Sequence, residues 1–176
     1  MKFVAIVGTN ADFSLNRNLL RFMQKHFTKQ ADIEILEIKD LEAFHDASQT
    51  PSAQVIAFSD KIHDADGVII STPEYDHTIP APLASALEWL GQTKALNHKK
   101  VMITGASYGV LGTLRAQEHL RRILQSPNLA ANTLAGEEFF LRRAAQAFDE
   151  EGNLKDAQVV AQLDQYFADF VSWVKD

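Results

Sequence analysis

The chain has 176 residues, 46% of them hydrophobic, which is enough for one well-buried core and short for two. Its formal net charge of −6, with scattered basic residues, gives no electrostatic footprint for nucleic acid and argues against anionic membranes as partners. The absence of cysteine excludes disulfides, thiolate nucleophiles and Cys-ligated metal centres. We therefore expect a single domain over residues 1–176.

The N-terminal segment passes from Met1-Lys2 directly into an apolar run at residues 3–7. This run is too short for the apolar core of a secretory signal. Elsewhere, no stretch reaches the roughly 20 apolar residues of a membrane span. We therefore expect a cytoplasmic protein that does not bind a membrane.

Apolar strand patterns alternate with helical patterns along the rest of the chain. Residues 3–7 are typical of a strand buried on both faces, and Ser14 is suited to cap the helix that follows. In chain order, the pattern predicts a strand at 3–7, a helix from 15, a strand at 33–38 near a sheet edge, a loop at 39–52, a helix around 55–62, a strand from 67, a helix from about 80 to 89, a strand at 100–104, a helix at 114–124, a short strand from 131 to 134 with Phe139 and Phe140, and a helix at 157–174. Five strands alternating with helices predict a three-layer parallel α/β fold.

The sequence of the first strand-to-helix turn, residues 8–16, indicates which kind of nucleotide the fold would bind. It contains one glycine, Gly8, so it is neither the Gly-x-Gly-x-x-Gly turn of dinucleotide-binding folds nor a phosphate-binding Gly-Lys-Ser/Thr loop. Thr9, Ser14 and Asn16 precede or open a helix whose free N–H groups attract anions. This suits one terminal phosphate better than a pyrophosphate. Alternatively, Ser14 only caps the helix and Asn16 is solvated.

Two further loops follow the third and fourth predicted strands. Residues 73–80 carry Glu, Tyr, Asp and His between two prolines, and residues 105–113 are rich in glycine. In a doubly wound sheet of order 2-1-3-4-5, the loops after strands one, three and four lie at neighbouring carboxyl ends and line one crevice. We expect the ligand to bind there.

At these residues the chain resembles the NADPH-dependent FMN reductase family, which includes quinone, azo and chromate reductases. Three ordered motifs spanning residues 3–125 carry the resemblance. They are Gly8-Thr9 with Ser14 and Asn16; Pro73-Glu74-Tyr75-Asp76 with Thr78, Pro80, Leu83, Leu87 and Trp89; and Ser107, Gly109 and Gly112 with Arg115, Gln117, Leu120 and Arg121.

The resemblance implies a flavodoxin-like doubly wound fold with a five-stranded parallel sheet of order 2-1-3-4-5. It also implies noncovalent FMN, NADPH or NADH as electron donor, a small-molecule electron acceptor, and a homodimer or homotetramer. The residues that it places at the cofactor are Thr9, Ser14, Leu15, Asn16, Pro73, Glu74, Tyr75, Asp76, Ser107, Tyr108, Gly109 and Gly112. No side-chain catalyst is required, because the cofactor performs the hydride chemistry.

The chain departs from the family pattern at two positions. Ala11 stands where the family carries an Arg that contacts phosphate, and Asp12 beside it adds a repulsive carboxylate. Arg17 would compensate if it turned back, but we expect a solvated helix residue. Asp76 replaces an Asn and adds negative charge beside the flavin ring, which would lower the flavin's reduction potential or alter the range of substrates.

Several residues have structural alternatives to a functional role. Glu74 would serve a helix terminus, while Tyr75 and Tyr108 would be half-buried aromatics. The apolar face of the helix from Pro80 would be core or a subunit contact. His77, without an identifiable carboxylate partner, is expected to be structural or exposed, and the six histidines show no metal-ligand spacing.

Two other functional classes compete with the reductase. One is a flavodoxin-like electron carrier, which binds FMN, lacks a nicotinamide site and exchanges electrons with protein partners. The other is an FMN-free regulatory or binding module on the same fold, with which the departures at Ala11 and Asp12 are compatible.

Overall fold

The computed structural model describes residues 1–136 and 138–176 of the chain. One parallel sheet has the order β2-β1-β3-β4-β5, and a sixth strand also pairs with β4. The strands are β1 (Lys2–Val7), β2 (Asp32–Glu37), β3 (Gly67–Ser71), β4 (Lys100–Ala106), β5 (Asn132–Thr133) and β6 (Phe139–Leu141). The helices are α1 (Leu15–His26), α2 (Ala53–His63), α3 (Ala81–Thr93), α4 (Leu114–Leu124) and α5 (Ala157–Lys175), with a short 3-10 helix at Ala144–Gln146. Over the described residues, none of the helices is long and apolar enough to cross a bilayer.

The predicted fold class and strand order are confirmed, and β2 lies at the sheet edge as expected. The final strand differs in detail because it is divided in two. β5 pairs with the beginning of β4, where Lys100 is opposite Asn132, and β6 pairs with its end, where Ala106 is opposite Leu141. Together the two short strands occupy the fifth position of the sheet.

Two apolar layers cover the two faces of the sheet. Phe3, Ala5 and Val7 of β1 pack in one cluster with α1 and α5. Val4 and Ile6 point to the other face and pack with α2, α3 and α4. A continuous apolar run in β1 follows from this arrangement, because a central parallel strand is buried on both sides.

Helix α3 is buried within the chain itself. Leu83, Leu87 and Trp89 are almost completely buried, and the Trp89 indole N–H donates to the Glu42 carbonyl at 2.9 Å. The apolar face of this helix is therefore intramolecular core, as in the simpler of the two interpretations from sequence.

The register of the central strands brings three loops to one edge. Val7 at the end of β1 is opposite Ser71 at the end of β3, and Ser71 is in turn opposite Thr104 of β4. The loops after β1, β3 and β4 therefore begin side by side, at the edge where ligands bind in open α/β sheets.

Candidate functional site

These three loops enclose one cavity of about 610 Å³. Its size is within the range of small-molecule sites. All twelve residues that the sequence placed at the cofactor line it: Thr9, Ser14, Leu15, Asn16, Pro73, Glu74, Tyr75, Asp76, Ser107, Tyr108, Gly109 and Gly112. The cavity also has five lining residues outside that set: Phe13, His77, Ala106, Val110 and Leu111.

The loop after β1 presents free backbone donors at the N-terminus of α1. The Ser14 hydroxyl accepts from the Arg17 N–H at 3.1 Å and caps the helix, as predicted. The N–H groups of Leu15 and Asn16, in the first turn, have no acceptor within the described part of the chain. Such unpaired donors at a helix N-terminus attract an anion.

Asn16 ties the three loops together. Its side chain is 2% exposed. Its Nδ2 donates to the Ala106 carbonyl at 3.0 Å, while its Oδ1 accepts from the Ala106 N–H at 2.9 Å and from the Ser71 hydroxyl at 2.8 Å. The alternative of a solvated Asn16 is therefore wrong, and the backbone N–H of Asn16 is the group it offers to a ligand.

Arg17 is not the solvated residue that we expected from its place on α1. It is 7% exposed, and its Nε and Nη2 donate to the two Glu37 carboxylate oxygens at 2.6 and 2.8 Å. Its Nη1 donates to the carbonyls of Ala11 and Asp12 at 3.0 and 2.9 Å. The hydrogen bond to Glu37 raises the pKa of Arg17 above its usual value. All three guanidinium nitrogens therefore donate to the protein.

The loop after β3 forms a tight hairpin turn. The Tyr75 N–H donates to the Thr78 carbonyl at 3.0 Å and the Thr78 N–H donates back at 2.9 Å. The two central residues, Asp76 and His77, have φ angles of +50° and +65°. This is the pattern of a type I′ turn, which favours Asn-Gly. Asp76 and His77 therefore hold a strained backbone at the mouth of the cavity.

Glu74 caps α4 from the neighbouring loop. Its carboxylate accepts from the backbone N–H groups of Arg115 at 3.1 Å and Ala116 at 3.4 Å, in the first turn of that helix. The Arg115 side chain adds a contact at 3.4 Å. The structural alternative for Glu74, service at a helix terminus, is therefore observed, and it links the loop after β3 to α4.

His77 is exposed, as expected, with 76% of its side chain accessible. Its Nδ1 lies 3.5 Å from a Glu74 oxygen and 3.3 Å from Arg115 Nη1. The premise that His77 lacks a carboxylate partner is therefore wrong. The spacing of three residues between Glu74 and His77 was the signal that could have shown it.

The loop after β4 is closed by a hydrogen bond and a glycine. The Ser107 hydroxyl donates to the Gly112 carbonyl at 2.7 Å. Gly112 has a φ of +67°, and a Cβ added there would lie 2.6 Å from the Phe140 Cβ. Gly112 is thus required by both conformation and space.

Aromatic and aliphatic side chains surround the cavity mouth. Phe13 and Tyr108 are 67% and 68% exposed, and Tyr75 is 49% exposed. The alternative of a half-buried aromatic is therefore wrong for Tyr108, whereas Tyr75 is half-buried. Val110 and Leu111, both also exposed, continue this rim. Their place as apolar residues inside a glycine-rich loop was the available signal for Val110 and Leu111, which were not predicted.

Metal-ligating side chains are not concentrated at this site. Across residues 1–136 and 138–176, no group of three or more His, Cys, Asp or Glu side chains is arranged to hold a metal ion. The cavity instead combines backbone donors, glycines and aromatic rings, which fits a planar ligand with an anionic end.

Comparison with known proteins agrees with this geometry. The chain is 54% identical over 174 residues to the NADH:(hydroxy)cinnamate reductase subunit CrdA of Vibrio ruber, covering 97% of this chain and 86% of the relative. It is 47% identical over 181 residues to the NADH-dependent flavin reductase subunit 2 of Lactobacillus johnsonii, covering 99% and 98%. Among solved structures, the flavoenzyme NAD(P)H:(acceptor) oxidoreductase FerB of Paracoccus denitrificans superposes with a TM-score of 0.87 at 26% identity, over 99% of this chain and 97% of that one.

The match to a family model is equally extensive. Residues 1–146, which include all three loops of the cavity, match the model for NADPH-dependent FMN reductases. The chain belongs to the NADPH-dependent FMN reductase family.

Proposed function

We propose that this chain is an NAD(P)H-dependent oxidoreductase that binds FMN in the 610 Å³ cavity and reduces a quinone, an azo compound or a similar small acceptor, or free flavin. The observation that carries the proposal is the convergence of unpaired helix N–H groups, a glycine loop and exposed aromatic rings in one cavity. Family membership identifies the chain as an oxidoreductase whose cofactor is FMN and whose electron donor is NAD(P)H.

The residues present fit FMN at both ends. At the anionic end, the Leu15 and Asn16 N–H groups and the side chains of Thr9 and Ser14 would hold the phosphate. At the other end, Pro73 to Asp76 and Ser107 to Gly112 would border the ring. FMN supplies the hydride chemistry when bound, so no side-chain base is required.

The protein's own contribution is to position and shield the ring. Asn16 fixes the ends of β3 and β4 relative to α1, and Glu74 fixes the loop after β3 against α4. The exposed rings of Tyr75 and Tyr108 provide apolar surface beside the ligand, where a planar nicotinamide or quinone would stack. A rigid, partly apolar slot of this kind orients two flat molecules against each other.

We propose NADH rather than NADPH as the preferred electron donor. The names of the two relatives described above both specify NADH. We therefore expect kcat/KM to be higher with NADH than with NADPH.

The exposed rim is the surface we propose for assembly into a homodimer or homotetramer. Phe13, Tyr108, Val110 and Leu111 expose apolar area in one region, and such patches usually mark interaction sites. Mass photometry of the purified protein would test this. Both relatives are named as subunits. Co-purification of a different polypeptide with this chain would therefore contradict the proposed homodimer or homotetramer. We further propose that residues 1–176 form one FMN-binding domain and that the protein is cytoplasmic.

Two measurements on purified protein test the function. The absorbance spectrum should show bound oxidised flavin after incubation with FMN and gel filtration, and steady NADH oxidation should follow addition of a quinone. A flavin spectrum without turnover would indicate an electron carrier. Absence of both would indicate a binding module without FMN.

A further inference from the structure

The loop after β1 carries more unpaired donors than the helix alone supplies. Besides Leu15 and Asn16, the N–H groups of Asp12 and Phe13 have no acceptor among the described residues. The Ser14 N–H lacks one as well, so five consecutive backbone donors, those of residues 12–16, are available to an anion, provided that the loop holds its shape. Ala11, at the position of the family's phosphate-binding Arg, offers no charge to hold a phosphate.

Arg17 determines the direction of these donors. Its Nη1 binds the carbonyls of Ala11 and Asp12 at 3.0 and 2.9 Å. In a trans peptide, the N–H of the next residue points opposite to the carbonyl. The two N–H groups of Asp12 and Phe13 are therefore directed away from the guanidinium.

The guanidinium lies behind the loop as seen from the cavity. Together with Asp12, Glu37 and Lys39, Arg17 lines a second hollow of about 350 Å³, whereas Thr9 and Leu15 line the main cavity. Phe13 and Ser14 border both. The loop is thus a thin wall with Arg17 on one side and the ligand cavity on the other.

We propose that Arg17 is a positioning residue for the phosphate of FMN, which it serves by bracing the backbone of residues 11–13 from behind rather than by touching the ligand. Glu37 at the end of β2 anchors the brace, with both carboxylate oxygens bound to Arg17. Since Glu37 also neutralises Arg17, the pair supplies shape and little net charge. This inference rests on the proposed FMN site. It explains how the phosphate-binding loop keeps its shape although the loop itself contains no arginine.

The test compares FMN with riboflavin, which lacks the phosphate. Arg17→Gln should raise the Kd for FMN by about tenfold, because it removes the charge-assisted hydrogen bonds that hold the loop. The Kd for riboflavin should change less than about twofold. Arg17→Lys should behave like Arg17→Gln, because an ammonium cannot bind Glu37 and two carbonyls with a planar fork. Arg21→Gln, one turn along α1 on an exposed position, is the matched control and should change neither value.

Glu37→Gln separates bracing from charge. This substitution weakens the anchor of Arg17 but leaves its positive charge behind the loop. If Arg17 acts by bracing, the preference for FMN over riboflavin should fall. If it acts by direct attraction to the phosphate, that preference should rise. Restored FMN affinity in Arg17→Lys, an unchanged preference in Arg17→Gln, or a raised preference in Glu37→Gln would each overturn the proposal. Glu37→Gln also serves if Arg17→Gln fails to fold.

The proposed function fails separately, if the wild-type protein binds no FMN. In that case, ¹⁵N relaxation of residues 10–14 in the flavin-free protein still tests the brace. Arg17→Gln should make these amides mobile on the nanosecond timescale and Arg21→Gln should not. Equal rigidity in both variants would overturn the inference.

Discussion

Asn16 on α1 exchanges two hydrogen bonds with the backbone of Ala106 at the end of β4, ninety residues away. A third bond, from the Ser71 hydroxyl at the end of β3, completes the set. One buried amide therefore joins three of the elements that form the site. Two nearby residues perform different tasks: Ser14 caps the N-terminus of α1, and Asn16 in its first turn fixes the helix to the sheet.

Asn16→Ala should destabilise the fold. The Ala106 N–H and carbonyl would lose their partner in a buried place, at a cost of about 2–4 kcal/mol. Chemical denaturation monitored by circular dichroism measures the change. Asn18→Ala, two residues further along the same helix and partly exposed, is the control, and an equal effect of both substitutions would show that helix content rather than the tie is responsible.

Gly112→Ala should cost about 1–3 kcal/mol of stability. Its φ of +67° strains any residue with a Cβ, and the new atom would meet Phe140 at 2.6 Å. Gly109→Ala in the same loop is the matched comparison, because an added Cβ there meets Ser107 Oγ at 3.8 Å, an ordinary contact. Similar thermal shifts for the two variants would contradict the geometry of this loop.

Ala11→Arg should tighten FMN binding by about 1–3 kcal/mol, because an Arg–phosphate contact is charge-assisted. Asp12 would oppose this little, since its carboxylate is fully exposed and lies 3.9 Å from Lys39 Nζ. Titration by quenching of flavin fluorescence measures the affinity. Gln30→Arg adds the same charge on an exposed position beyond the far end of α1, and equal tightening in that variant would mean that only overall charge matters.

Turnover should be ping-pong, because the donor and the quinone would use the same exposed face in turn. Double-reciprocal plots for NADH and a quinone should therefore be parallel. Tyr75→Ala should reduce flavin retention and turnover together, since it removes apolar surface from the cavity. Intersecting lines would require both substrates to bind at once and would exclude a shared face.

His77 should be dispensable for hydride transfer. His77→Ala and His77→Gly both remove the imidazole, but only Gly suits the φ of +65° without strain. We expect both variants to keep much of the rate, with His77→Gly at least as stable as the wild type. Loss of turnover in His77→Gly with FMN still bound would instead make His77 a proton donor to the acceptor.

Stability should fall at alkaline pH through Tyr166. Burial raises the pKa of this phenol to about 12, and its hydroxyl donates to the Ile103 carbonyl at 3.0 Å. Because the folded protein holds the proton more tightly than the unfolded chain, the stabilisation is complete below pH 10 and is lost between pH 10 and about 12, by about 2–3 kcal/mol. Tyr166→Phe should lack this loss, and identical pH profiles of unfolding for the two proteins would contradict it.

The features that could be predicted from sequence depend on residues close together in the chain. The strands and helices follow apolar periodicity, so β1 and α4 were found with their bounds nearly correct, and the loop order followed from strand order. The twelve lining residues came from three short motifs. What could not be predicted depends on contacts between distant residues.

Arg17 and Glu74 illustrate this limit. Arg17 lies on a helix surface by periodicity and becomes buried because Glu37, twenty residues later, lies at the end of the adjacent strand. Glu74 finds its partner 41 residues away, on a helix whose position depends on the whole sheet. The division of the fifth strand is likewise set by pairing with β4 and not by its own short apolar runs.

The capping of α4 by Glu74 has a mechanical consequence for the entrance of the cavity. A single carboxylate joins the hairpin turn on one wall to the helix that follows the glycine loop on the other. While these hydrogen bonds are intact, the hairpin turn and the first turn of α4 must move together. The slot therefore opens and closes by one coupled motion of its two walls. Any partner or ligand that displaces the first turn of α4 would widen or narrow the slot directly, at a distance from the ligand itself.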